Sequence, residues 1–134
     1  MVDSKTIAII WGYIDAFDRS GDPSFLITAM AIFEAVLEKA ELPEGKITDV
    51  WVVTEKGGKE LKAKVVKVTK ENIMEQVSEW LADLFRFYMK KDTRPWVYQV
   101  IKVSLVKILT ALGYVATPQE TPLETIFEGE GEED

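Results

Sequence analysis

The chain has 134 residues, 47% of them apolar, and contains no cysteine and no histidine. That is enough apolar material for one packed core and too much for wholesale disorder. The missing residue types exclude disulfides, thiolate zinc sites, histidine general bases and an imidazole pH switch. The net charge of −7 is unevenly placed: residues 118–134 carry seven acids (Glu120, Glu124, Glu128, Glu130, Glu132, Glu133 and Asp134) and no base. The remaining 16 acids balance the 16 lysines and arginines. Scarce amides, no cysteine and plentiful Glu and Lys match the bias of thermostable proteins.

A first helix is expected over about residues 4–19. Ile7, Ile10, Trp11, Ile14 and Phe17 recur at helical spacing, and Asp3 or Ser4 suits the N-cap. Ser20-Gly21 ends it, and Asp22-Pro23 restarts a helix with an acidic cap and proline in the first turn. This second helix, to about residue 41, carries Phe25, Leu26, Ile27, Met30, Ile32, Phe33, Val36 and Leu37. Those residues cover far more than one stripe, so the helix must be buried on most sides.

A β-hairpin follows over about residues 46–68. Ile47 to Thr54 is rich in β-branched residues, and Leu61 to Val68 answers it. Gly57-Gly58 suits a two-residue turn. Such a turn pairs Thr54 with Leu61, Val52 with Ala63 and Val50 with Val65. It places Trp51, Val53, Lys62, Lys64 and Val66 together on the opposite face. Residues 46–70 hold seven lysines against Asp49, Glu55 and Glu60, a local charge of +4.

Thr69 is the expected cap of a third helix over about 70–91, with Ile73, Val77, Trp80, Leu81, Leu84 and Tyr88 as its apolar stripe. A fourth helix, about 95–112, is framed by Pro95 and Gly113. It is again apolar over more than one face. The expected architecture is α+β and mostly α. Four helices form a bundle-like domain over residues 1–117, with an antiparallel hairpin inserted between the second and third. Residues 118–134 read as a disordered acidic tail.

Motifs that would carry catalysis are not in evidence. Asp15, Asp18 and Asp22 surround the first interhelical turn. An EF-hand loop starting at Asp18 would need glycine at Pro23 and a closing glutamate at Ala29. Glu71, Glu75, Glu79 and Asp83 form an acidic ladder with the spacing of a solvated helix face or of one docked against cations. No cofactor or metal is expected. The segment before Asp15 lacks the basic start and small-residue cleavage site of a signal peptide, and the longest uncharged run is too short for a membrane span. A cytoplasmic protein is expected.

The functional expectation is a non-catalytic interaction or assembly protein. Homodimerisation is expected because the second and fourth helices carry more apolar surface than one copy should hide. The expected interaction surface comprises Trp51, Val53, Lys62 and Lys64 on the hairpin, Phe25, Leu26 and Val103 on the helices, and Leu123, Ile126 and Phe127 in the tail. A nucleic-acid-binding or regulatory protein using the lysine-rich hairpin as a wing is the alternative. A small-ligand carrier or enzyme with a bundle cavity is the third reading.

Overall fold

The computed structural model describes residues 2–56, 60–90 and 95–115. Four helices and one antiparallel hairpin follow the expected order. They are α1 (Ser4–Ser20), α2 (Pro23–Leu37), β1 (Lys46–Lys56), β2 (Glu60–Thr69), α3 (Ile73–Met89) and α4 (Pro95–Ala111). No described helix is long and apolar enough to cross a membrane.

Helix ends follow local chemistry. Asp3 caps α1 by accepting from the Lys5 N–H at 2.9 Å, and Asp22 caps α2 through the Ser24 N–H at 3.0 Å. Gly21 terminates α1 in the left-handed conformation, φ 73°, where a Cβ would be strained. The third helix begins later than the expected residue 70. The Asn72 carboxamide takes the Thr69 N–H and donates to the Lys67 carbonyl, both at 2.8 Å. These bonds hold residues 69–72 as a turn off β2.

The central helix is α2, which packs against α1 and α3 and touches α4. Leu26, Ala29, Met30 and Phe33 are wholly buried. Helix α4 is anchored to α1 at two points. The Trp11 indole donates to the Tyr114 carbonyl at 2.8 Å, and Lys102 pairs with Asp18 at 3.1 Å. These contacts make the two helices run antiparallel.

The apolar surplus that led us to expect a second subunit is absorbed within one chain. No large apolar side chain of α2 is exposed, and on α4 only Trp96 and Val103 are. The hairpin supplies the cover that the sequence does not reveal, because β1 packs along α4. The inward face of α3 also differs: Phe87, not Tyr88, completes its buried row with Ile73, Val77, Trp80 and Leu84. Tyr88 is exposed.

The hairpin register is shifted by one residue from the expected one. Lys56 pairs with Glu60, which leaves three residues between the strands where two were expected. The pairs are Val50 with Val66, Trp51 with Val65, Val52 with Lys64, Val53 with Ala63 and Thr54 with Lys62. A one-residue slip exchanges the faces of a strand. The core face therefore carries Val50, Val52 and Val66, and it is continued by the wholly buried Val68. Val65 turns outward instead. Packing decides this: the observed register buries Val68 and half-buries Val66 beside Val50, which the tighter turn would have faced away from it.

Candidate functional site: the outer face of the hairpin

On the outer face Trp51 stands opposite Val65. The backbone of Trp51 lies on the free edge of β1, where a two-stranded sheet leaves polar groups unpaired. Ser104 of α4 fills that vacancy. Its hydroxyl accepts from the Trp51 N–H at 3.0 Å and donates to the Trp51 carbonyl at 3.1 Å. A hydroxyl can do both at once. Ser104 is wholly buried, so this contact takes the place of a third strand at one residue.

With α4 set against the strand edge, Lys107 reaches the Trp51 ring. Its ammonium lies 5.1 Å from the ring centroid, within cation–π range. Val103 sits one helical turn before Lys107, on the same side of α4. Trp51, Val65 and Val103 are 39%, 60% and 39% exposed. Ala63 and Lys67 extend the face along β2 and are exposed as well. Asp49, opposite Lys67, is engaged by Lys46 at 2.9 Å. The result is an apolar face with two cations, held on a rigid base.

This face differs from the expected surface. Trp51 and Val103 are brought together, but Lys62 and Lys64 lie on the other side of the ribbon, because they pair with Thr54 and Val52. Both lysines are exposed. The basic partner of Trp51 is Lys107, which sequence spacing could not place beside it. Val53 is buried rather than presented, since α4 lies along that strand. Leu26 is wholly buried in the core and belongs to no surface. Phe25 is half-buried, stacked on Tyr13 with centroids 6.3 Å apart. Leu123, Ile126 and Phe127 lie outside the described residues.

Other features carry less chemistry. Phe85, Tyr88 and Met89 form an exposed apolar strip at the C-terminal end of α3, beside residues 91–94, which are not described. An open groove of about 470 Å³ separates the start of α1 from the end of α2, lined in part by Thr6, Ile32 and Val36. Of its two acids, Asp3 and Glu38, Asp3 is already committed to capping α1. Glu71, Glu75 and Glu79 of the acidic ladder are exposed, and Asp83 pairs with Arg86 at 3.0 Å. No group of three or more acids that could hold a metal occurs among the described residues.

Lys70 and Tyr114 are perturbed among the described residues. Lys70 is raised above its ordinary value by its hydrogen bond to Glu44 and by that acid's charge. Burial pushes the Tyr114 hydroxyl up. Neither lies on the outer face of the hairpin. Two buried donors on α3, Gln76 Nε2 and Trp80 Nε1, have no acceptor.

Comparison with known proteins returns no match to this chain, whether against family models, curated proteins or solved structures.

Proposed function

We propose that this chain is a non-catalytic protein-interaction module that binds a short segment of a partner on the outer face of its hairpin. The observation that carries the reading is the exposure of Trp51 and its cross-strand partner Val65, with the Lys107 ammonium over the Trp51 ring and exposed Val103 next to Ser104, which bonds the Trp51 backbone. Exposed apolar side chains gathered into one patch mark contact sites, whereas scattered ones do not. Tryptophan beside a cation is also the kind of anchor that dominates binding energy.

The size of the face favours a peptide over a second copy. Three partly exposed side chains offer on the order of a few hundred Å². A stable interface needs about 800 Å² from each partner. The cations favour an acidic segment with two or three apolar anchors. The nucleic-acid reading is weaker, because the hairpin lysines Lys62 and Lys64 are on the ribbon face away from Trp51.

The test is a photo-crosslinking residue placed at Val65 in the source cells, with the exposed Ile9 of α1 as control. Discrete adducts from position 65 that are missing from position 9 support the reading. The same adduct pattern from both positions overturns it.

A further inference from the structure

Taking that face as a docking surface, we propose that residues 121–128 of this chain occupy it as a two-turn acidic amphipathic helix. The chain then carries its own competitor for the partner segment.

The segment has the grammar of a helix. Thr121-Pro122-Leu123-Glu124 places threonine at the cap, proline at the first helical position and glutamate at the third. That is a capping box with its favoured proline, and Gly129 supplies the stop. In a helix Leu123, Ile126 and Phe127 fall at i, i+3 and i+4 and form one apolar stripe. Glu124 and Glu128, four residues apart, line one side of it. A helix this short is unstable alone in water, so its pattern has a use only against a surface.

The outer hairpin face matches it in kind. Three apolar anchors meet Trp51, Val65 and Val103. The acidic edge meets Lys67 and Lys107, while Asp49 on the same face is neutralised by Lys46. This is the helix-in-groove mode of recognition, with charge setting the orientation.

Chain length allows it. Lys107 lies four residues before the end of α4, about 6 Å along the helix axis. Leu123 is eight residue steps beyond Val115, and an extended chain of that length spans up to about 26–29 Å. The strip of Phe85, Tyr88 and Met89 adjoins the opposite end of α4, about 24 Å from the exit. The hairpin face is the nearer choice.

Because the chain lacks cysteine, Gly131→Cys gives a unique attachment point for a spin label on the full-length protein. Docking predicts paramagnetic broadening of the Trp51 indole and the Val65 and Val103 amides, unchanged when labelled chains are diluted with excess unlabelled protein. Phe127→Ser, which alters no residue of the described core, should abolish the broadening. Glu124→Lys with Glu128→Lys should reduce it several-fold. Broadening that is absent, centred on Phe85 and Met89, or lost on dilution overturns the proposal. The readout is contact within one chain, so its failure leaves the face open to a partner. Crosslinking from Val65 decides that separately.

Discussion

The Ser104 hydroxyl holds both backbone polar groups of Trp51, accepting from its N–H at 3.0 Å and donating to its carbonyl at 3.1 Å. One side chain thereby joins α4 to the free edge of β1 and sets Lys107 over the indole. Ser104→Ala would leave a buried strand edge with a donor and an acceptor unsatisfied. Such a loss costs about 1–3 kcal/mol. Urea denaturation should show this destabilisation, and the Trp51 amide should exchange faster with solvent. A loss below about 0.5 kcal/mol would mean the edge finds other partners when the hydroxyl is gone.

Gln76 and Trp80 lie one turn apart on α3, and the Nε donor of each is buried without an acceptor. Burying a polar group without a partner is unfavourable. Gln76→Met keeps the side-chain volume and removes the orphaned amide. It should leave stability unchanged or raise it by up to about 1 kcal/mol in thermal unfolding. A marked drop would reveal a hydrogen bond that the Gln76 amide makes in solution.

Trp80 itself is wholly buried between α3 and its neighbours. Trp80→Ala should cost about 3–5 kcal/mol through lost burial and the cavity left behind. By contrast Met89→Ala, on the exposed end of the same helix, should stay within about 0.5 kcal/mol of the parent. Parallel denaturation curves measure the contrast, and similar losses at the two positions would contradict the inward face assigned to α3.

Alkaline pH should weaken the fold through Tyr114. Burial raises its folded-state pKa above the unfolded value, about 10. A raised pKa contributes stability that is complete below the unfolded value and is lost as pH rises through the folded one. Lys70 shifts in the same direction through Glu44 but lies at the exposed surface, where solvent screens the pair. Melting temperatures measured from pH 9 to 11 should fall, and Tyr114→Phe should shrink that fall. An unaltered slope would show that Tyr114 does not titrate differently in the folded chain.

Sedimentation at micromolar concentration should return a single 15.2 kDa species, since one chain covers α2 and nearly all of α4. A dimer mass would direct attention to the Phe85, Tyr88 and Met89 strip as its seam.

Helix order, the caps at Asp3 and Asp22, the stop at Gly21 and the presence of a hairpin are all determined by residues adjacent in the chain. Capping, proline placement and the 3.6-residue and two-residue periods act over a few positions, so the sequence displays them openly. The strand register, the wrap of α2 and the cation over Trp51 depend on groups far apart in sequence. Val66 and Val68 against the core outweighed the preference of Gly57-Gly58 for a two-residue turn, and that one-residue slip moved Lys62 and Lys64 away from Trp51. Ser104 and Lys107 reach Trp51 from more than fifty residues away. Only the packed chain could decide which side chains share a surface, because the burial energy that selects a register or a partner helix is collective and no short stretch of sequence contains it.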